Sequence, residues 1–422
     1  MDNSAIALVD CNNFYTSCEA AFDASLDYRP AVVLSNNDGN IISRNERAKQ
    51  LGVTMGAPYF KVEHLLEENG AAVFSSNYPL YGDMSDRVMS LFYNFTPELE
   101  VYSIDEAFLS LEPRKNSLDK LAWSIKEKIY EWTDIPVSIG IAETKVRAKL
   151  ANKLAKKSQK ARGVLNLYGS PYMETALKRT DVADIWEIGR QSAKKLKDAG
   201  INTAYELAYA DNRSIRALLT VKGARIALEL RGIKCLPLVK TEGDRYSVRC
   251  TRSFPKSLSG YKDIREAIFY NLTRACEKMR RHKLAARELG VFISTDPFRP
   301  VPFEYSRTET YKSNYPTDIN QELQQWTAQL LEKAFREGIE YRKAGVILSR
   351  LVPVEKLTVR MFDDEKYKRW RNLMKAIDRI NQKFGKDTLR FAGVKTEGKW
   401  KTKATWKSPG YTTNWQELLV VH

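Results

Sequence analysis

The sequence predicts a multidomain protein of mixed α/β and α+β class. Three observations carry that prediction. Residues 1 to about 170 alternate short apolar runs with amphipathic segments, about 171–235 is helical and short-looped, and 244–350 reads strand, helix, strand, strand, helix, strand. At 422 residues the chain has length for about two to four domains.

The first element is Ala5-Ile6-Ala7-Leu8-Val9, an apolar run that fits a buried strand and ends in Asp10. From Val101 to Leu111, two adjacent acids, Asp105 and Glu106, sit between apolar and aromatic runs. A turn between two strands would put both carboxylates at one end of a sheet. If that sheet also holds the Asp10 strand, three acids converge, and their repulsion requires cations. Two magnesium ions about 3.5–4 Å apart would supply them and suit phosphoryl transfer. The same residues also fit a plainer arrangement, with Asp10 as an N-cap and Asp105-Glu106 as a solvated turn. Spacing alone leaves both open.

After Asp10 a helix is expected through about Phe22, and Ala31-Val32-Val33-Leu34 reads as a strand. Asn36 to Asn40 is a turn cluster, and Ile41-Ile42-Ser43-Arg44 leads into a short helix from Glu46 to Leu51. Further helices are expected over Tyr59–Glu68, Ser85–Phe95 (Val88, Leu91, Phe92 and Phe95 on one face) and Asp119–Thr133. Pro136–Ile141 alternates as a strand. The helix Lys145–Lys157 carries a stripe of Val146, Leu150 and Leu154 ringed by Lys145, Arg147, Lys149, Lys153, Lys156 and Lys157. Such a ring is ordinarily a solvated face; beside an acidic metal site it brings lysines to phosphates.

From Val182 to Gly200 the pattern fits a helix-hairpin-helix, whose turn presents backbone N–H groups to a DNA phosphate, with Gly189, Arg190 and Lys194 at the contact. Glu187 stands where that pattern usually has a glycine, and Leu218–Gly223 reads as a weaker second copy. A plain helical bundle is the alternative. Residues 236–243 read as a linker. The βαββαβ segment, the split-βαβ arrangement, runs over Tyr246–Phe254, Asp263–Lys283, Leu289–Ser294, Ser306–Tyr311, Ile319–Glu337 and Ala344–Leu348. Residues 351–422 form a basic tail. Its helix, Lys366–Phe384, is expected to turn Trp370, Leu373, Met374, Ile377, Ile380 and Phe384 inward. Trp400 and Trp406 lie among Lys and Arg, a mix that suits nucleic acid or a protein partner or a small subdomain packed on its own chain.

Composition narrows the function classes. Hydrophobic residues at 43% and aromatics at 11% fit a soluble globular protein. No apolar run approaches the roughly 18 residues of a membrane span, and Asp2 followed at once by a strand gives no sign of a secretory signal. Five cysteines at irregular spacing suggest neither a disulfide framework nor a zinc site, and three histidines weaken zinc further. A reducing, cytoplasmic setting is expected. With 68 Lys+Arg against 52 Asp+Glu, the net charge of +16 points to a polyanion, nucleic acid by default. The charge is uneven: Lys366 to Lys407 holds 14 Lys/Arg and 3 Asp/Glu.

Several motifs together resemble the Y-family translesion DNA polymerases. They are Asp10-Cys11-Asn12-Asn13-Phe14-Tyr15, Val32-Val33-Leu34-Ser35-Asn36-Asn37-Asp38-Gly39, Ser75-Ser76-Asn77-Tyr78, Tyr81-Gly82-Asp83-Met84-Ser85 and Tyr102-Ser103-Ile104-Asp105-Glu106-Ala107-Phe108. Phe391-Ala392-Gly393 and Ser408-Pro409-Gly410-Tyr411-Thr412-Thr413 are similar to the UmuC-type branch, the catalytic subunits of bacterial DNA polymerase V and its plasmid-borne relatives. The resemblance implies a right-hand polymerase. A ferredoxin-like palm would occupy 1–20 and 78–170, small fingers 21–77, a helix-hairpin-helix thumb 171–235 and a little finger 244–350. It implies error-prone translesion synthesis in the SOS response to DNA damage, by two-metal nucleotidyl transfer with Mg2+.

On the motif positions, the resemblance implies that Asp10, Asp105, Glu106 and the Cys11 carbonyl hold the metals. Tyr15 would be the steric gate that collides with a ribose 2′-OH. Lys156, Lys49 and the Phe14 backbone N–H would meet the triphosphate. Glu46 stands where many members have a tyrosine for the same contact; Arg44 and Asn45 are nearby substitutes. The implied partners are primer-template DNA, a deoxynucleoside triphosphate, a cleaved UmuD homodimer, a RecA filament and the sliding clamp. The clamp peptide corresponds to Thr358-Val359-Arg360-Met361-Phe362, with Thr in place of the leading Gln. The setting would be the bacterial cytoplasm at the nucleoid. Two rival readings remain: a nucleotide cyclase on a palm-like sheet, which needs no DNA, and a catalytically inactive DNA-binding scaffold of a repair complex, which loss of the acids would favour.

Overall fold

The structure, a computed structural model, describes residues 4–113, 118–239, 247–298, 304–356, 364–391 and 393–419. The peptide expected to bind a clamp, 358–362, lies outside them. The chain forms two compact units: Met1–Ser35 with Gly39–Glu242 and Trp406–His422, and Asn36–Asp38 with Gly243–Thr405.

The first unit is built on a five-stranded sheet in the order Leu99–Val101, Glu106–Leu111, Ala5–Cys11, Val137–Ala142, Val164–Asn166. The central strand runs antiparallel to both neighbours, while Val137–Ala142 and Val164–Asn166 are parallel. Ala5–Cys11 is apolar almost throughout because both its faces are covered. Ala5, Ala7, Val9 and Cys11 pack toward helices Tyr78–Phe92 and Leu118–Thr133. Ile6 and Leu8 pack toward helix Lys145–Lys157 and the helices beyond residue 173. Asp10 continues the Ile6–Leu8 face and so points to the lysine helix.

That helix lies very close to the sheet. A Cβ on Gly140 would fall 2.0 Å from the backbone nitrogen of Asn152, so only glycine permits the approach. Thr144 caps its start by accepting from Arg147 N–H at 3.3 Å, and Asn152 ties it down by donating to the Ser138 carbonyl at 2.7 Å.

A three-stranded sheet in the order Ile41–Arg44, Ala31–Leu34, Ala72–Ser75 forms a small subdomain of the same unit. Ile41–Arg44, expected only as a lead-in to a helix, is a strand, its alternate residues Ile41 and Ser43 buried. Helix Tyr78–Phe92 begins seven residues before the expected Ser85. Pro79 and Gly82 look like breakers, but proline is tolerated in a first turn and Leu80 and Tyr81 are fully buried.

The helical segment shows one departure from the hairpin expectation. Its first arm is a single 3-10 turn, Val182–Asp184, rather than a helix; Asp181 caps it and the second arm is the helix Arg190–Asp198. The weaker second copy is a helical stretch, Asn212–Leu230, broken at Thr220 by a φ of 68°. The expected linker is not loose at its start. Lys145 donates to the Pro237 carbonyl at 2.8 Å, and Val239 N–H donates to Glu100 at 2.7 Å, so this stretch helps to satisfy the buried Lys145–Glu100 ion pair.

The second unit is a four-stranded antiparallel sheet in the order Ser306–Thr317, Leu284–Ser294, Tyr341–Pro353, Ser247–Leu258, packed against helices Tyr261–Arg281 and Asn320–Ala334. Its strands extend several residues beyond the expected bounds because their ends are polar and exposed, which hides them from a hydrophobic pattern. Helix Asp364–Phe384 buries Met374 and Ile377, but Leu373 and Phe384, expected inward, are 42% and 66% exposed. Ion pairs fix this helix instead: Arg280 with Asp378 at 2.6 Å and Arg371 with Asp318 at 3.2 Å. Trp400, whose setting suited either a partner or a subdomain packed on its own chain, is fully buried, its ring 5.0 Å from Tyr270. Tail aromatics here complete the chain's own core.

Candidate active site

Asp10 and Glu106 are directly opposed in register, at the end of the pairing between Ala5–Cys11 and Glu106–Leu111. Asp105 sits in the turn just before, tied to the same place by the Cys11 N–H, which donates to the Asp105 carbonyl at 2.8 Å. The three acids therefore meet at one sheet end although two of them lie far from the third in sequence. Tyr102, Trp186 and the aliphatic parts of Lys149 roof this end: the Trp186 Nε1–H donates to the Tyr102 hydroxyl at 3.2 Å, and the Lys149 Nζ lies 4.9 Å and 5.7 Å from the Tyr102 and Trp186 rings.

Cations compensate two of the three acids. Lys149 Nζ donates to both Glu106 oxygens at 2.7 Å, and Lys156 Nζ donates to Asp10 Oδ1 at 2.5 Å. These lysines are seven residues apart, two helical turns, and so project from one face. Between them Lys153 pairs with Asp184 at 2.6 Å. Asp105 Oδ1 accepts from the Ser103 hydroxyl at 2.6 Å. A cavity of about 250 Å³ opens here, lined among others by Asp10, Glu106, Lys149, Lys153 and Lys156.

The electrostatics split the carboxyl pair. Burial pushes the Asp10 carboxyl up to about 7, against the pull of the Lys156 ammonium. Burial also works on Glu106, but the hydrogen bonds from Asp10 and Lys149 outweigh it and hold its carboxyl below the usual range. Of the two, Asp10 is thus the carboxyl that takes up a proton more readily. Burial pushes the Cys11 thiol well up, leaving it neutral, so its backbone carbonyl is its only hard donor.

Among the described residues no three His, Cys, Asp or Glu side chains form a ready metal cage. Asp10 and Glu106 accept from lysines and Asp105 from Ser103. The donor set still suits a hard divalent cation, since it is three carboxylates and a carbonyl with no soft ligand.

Tyr15 opens onto the opposite side of the first strand. It lies in the first turn of helix Phe14–Ala20, half-buried, its ring stacked on Tyr81 at 4.7 Å and edge-on to Tyr78 at 6.2 Å. The Phe14 N–H is in the same first turn, where helical amides have no intrahelical acceptor. Lys49 stands apart from the acid cavity. It pairs with Glu46 at 2.5 Å, and Glu46 also accepts from Asn13 at 3.2 Å. The two substitutes considered for Glu46 are otherwise engaged. Asn45 accepts from the Ala48 and Ala31 N–H groups, and Arg44 reaches the Val53 carbonyl.

In the hairpin, Gly189 caps the helix Arg190–Asp198, and Arg190 and Lys194 are exposed one turn apart. Glu187 adopts φ 68°, the left-handed region that explains why a glycine is usual there. Lys222, two residues past the Thr220 break, forms an ion pair with Glu187, so the two turns are neighbours. Sequence reasoning missed Lys149 as the partner of Glu106; its seven-residue spacing from Lys156 was the available signal.

The chain matches the impB/mucB/samB family over residues 9–153, that family's C-terminal domain over 245–361, and a domain of unknown function over 371–421. It is 38% identical over 419 residues to Protein UmuC of Salmonella typhimurium, spanning 98% of this chain and 99% of that protein. It is 36% identical to Protein MucB of Escherichia coli, spanning 98% and 99%, and 26% identical to DNA polymerase IV of Desulfatibacillum aliphaticivorans, spanning 94% and 98%. In fold it is similar to the Y-family DNA polymerase chimera Dbh-Dpo4(243-245)-Dbh, with a TM-score of 0.68 at 22% identity over 83% of this chain and 99% of that one. The chain belongs to the impB/mucB/samB family, the UmuC-type branch of the Y-family translesion DNA polymerases.

Proposed function

We propose that Asp10, Asp105, Glu106 and the Cys11 carbonyl hold two Mg2+ ions and that the cavity beside them receives the triphosphate of an incoming deoxynucleotide. The observation that carries this is the direct opposition of Asp10 and Glu106 under two lysines of one helix face. When bound, the ions supply a lowered pKa at the primer 3′-hydroxyl and charge neutralisation on the triphosphate. The chain's own part is exchange. Lys156 and Lys149 leave the carboxylates as cations arrive and are then free to meet phosphate oxygens, with Lys156 the principal contact. Burial pushes Asp10 up to about 7, so an arriving cation displaces a proton there and binding strengthens as pH rises through that value.

Tyr15 is read as the steric gate beneath the sugar, and the Phe14 N–H as a phosphate donor. Lys49 is a triphosphate contact only after it leaves Glu46. In this reading residues 1–20 and 78–170 are the palm, 21–77 the fingers, 171–235 the thumb and 244–350 the little finger. Gly189, Arg190 and Lys194 meet the DNA backbone, which the net charge of +16 favours. A cleaved UmuD homodimer, a RecA filament and the sliding clamp are the partners proposed, in the bacterial cytoplasm at the nucleoid, during the SOS response.

Primer extension separates this reading from its rivals. Wild type should extend a primed template with Mg2+, and Asp105→Ala should not. Templated synthesis by both proteins would remove the metal role, and synthesis by neither would return the inactive scaffold.

A further inference from the structure

The region matching a domain of unknown function ends in a segment that packs behind Tyr15. Trp406 and Ser75 exchange two bonds: Ser75 N–H donates to the Trp406 carbonyl at 2.9 Å, and Trp406 N–H donates to Ser75 Oγ at 3.0 Å. The Trp406 ring lies 5.2 Å from Tyr59, and Tyr411 stacks on Phe22 at 4.8 Å with the planes 14° apart. Between these anchors, Asn77 donates its amide to Ser408 Oγ at 2.9 Å and to the Ser408 and Pro409 carbonyls at 3.1 Å. Asn77 is the residue immediately before helix Tyr78–Phe92, and its side chain gives that helix no cap bond.

The polar centre of this contact is one buried oxygen. Ser408 Oγ–H donates to Glu19 Oε1 at 2.9 Å, and Tyr81 O–H donates to the same oxygen at 2.6 Å. Glu19 is 1% exposed and Tyr81 fully buried. Tyr81 is the ring on which Tyr15 stacks. A segment needed only to cover apolar surface would not require a buried carboxylate, which is costly without partners. Directional bonds converging on one oxygen instead fix the position of the ring that carries them.

We propose that Trp406–Tyr411 is a strap that positions the sugar gate: through Ser408, Glu19 and Tyr81 it sets the plane of Tyr15, and with it the preference for deoxyribose. This rests on Tyr15 being the gate. Ser408, Glu19 and Tyr81 are positioning residues; none of them is assigned a contact with the nucleotide.

The test is single-nucleotide primer extension by the full chain with a deoxynucleotide and its ribonucleotide counterpart, for Ser408→Ala, Ser408→Thr, Tyr411→Leu and Tyr15→Ala. Ser408→Ala should lower the deoxy-over-ribo preference in kcat/KM by about fivefold, the weight of one net hydrogen bond. The change should appear in ribonucleotide kinetics, with deoxynucleotide kcat and the preference for the correct base unchanged. Ser408→Thr should restore wild-type selection, and Tyr411→Leu, acting at the other anchor, should reproduce the effect if Ser408→Ala does not fold. If Tyr15→Ala relaxes sugar selection while folded strap variants do not, the strap proposal is overturned and the gate stands. If sugar and base selection decay together, the segment is a general brace and the proposal is overturned. If Tyr15→Ala leaves sugar selection intact, the gate falls and the strap with it.

Discussion

On one face of the five-stranded sheet Asp10, its side chain 14% exposed, meets a lysine that is 37% exposed; near Tyr15, Glu19 is buried against two hydroxyls sealed from solvent. Burial pushes both carboxyls up. At Asp10 the compensation is a flexible ammonium that can leave when another cation arrives. At Glu19 it comes from hydroxyls on a packed helix and a pinned strap, which have nowhere to go. Under the proposed function the same residue chemistry serves exchange in one place and registration in the other, and the difference lies in how freely the partner can leave.

Removing a carboxylate from the exchanging site should have the largest effect. Asp105→Ala should lower primer-extension kcat on the order of 10³-fold or more, since metal-borne charge stabilisation is worth several kcal/mol. Near wild-type turnover would show that the acids are not where cations act. Lys156→Ala comes next. It should raise KM for the deoxynucleotide by roughly ten- to a hundredfold, the weight of a charge-assisted hydrogen bond. Loss of kcat with KM unchanged would assign that lysine to the acids alone.

The registering site gives a pH signature. The raised Glu19 carboxyl contributes stability that is fully present below its unfolded value and lost as pH rises through the folded value. Glu19→Gln keeps the acceptor oxygen and removes the charge, so its stability relative to wild type should grow as pH rises above about 4.5. Glu19→Ala leaves two buried hydroxyls without an acceptor and should cost about 2 kcal/mol at low pH, a cost that shrinks as pH rises and wild type alone loses stability. Denaturant unfolding from pH 4 to 8 reads both; parallel wild-type and Gln curves would place Glu19 in solvent contact. The smallest effect is expected away from both sites. Glu187→Gly relieves a left-handed backbone worth about 1 kcal/mol and loses an ion pair to the 70%-exposed Lys222, so Tm should rise slightly; a fall would mean that pair matters more than the backbone.

Much of the exchanging site was legible in the sequence because it is made of local signals. Apolar strands ending in acids left a metal site and a solvated turn equally open; the motifs that resemble the Y family are what put Asp10, Glu106 and Lys156 together. The strap was not legible in that way. Ser408 and Glu19 are 389 residues apart, and neither sits in a periodic pattern that announces its partner. In sequence Trp400 and Trp406 suit a partner surface as well as a subdomain packed on its own chain; Trp400 is fully buried and Trp406 packs on Tyr59. Composition records that these residues are aromatic and that their neighbours are charged, but only tertiary packing decides which face is inside. Helix Tyr78–Phe92 was misplaced at its start for a related reason: Pro79 breaks a helix interior but fits a first turn, and burial of Leu80 and Tyr81 holds that turn.

The central claim is that the two lysines stand in for cations and yield to them. The most direct measurement is a crystal structure of the protein with primer-template DNA, an incoming deoxynucleotide and Mn2+ located by anomalous scattering. The account predicts metal peaks held by Asp10, Asp105 and Glu106, with Lys156 moved from Asp10 to a phosphate oxygen. Metal bound elsewhere while Lys156 remains on Asp10 would contradict it.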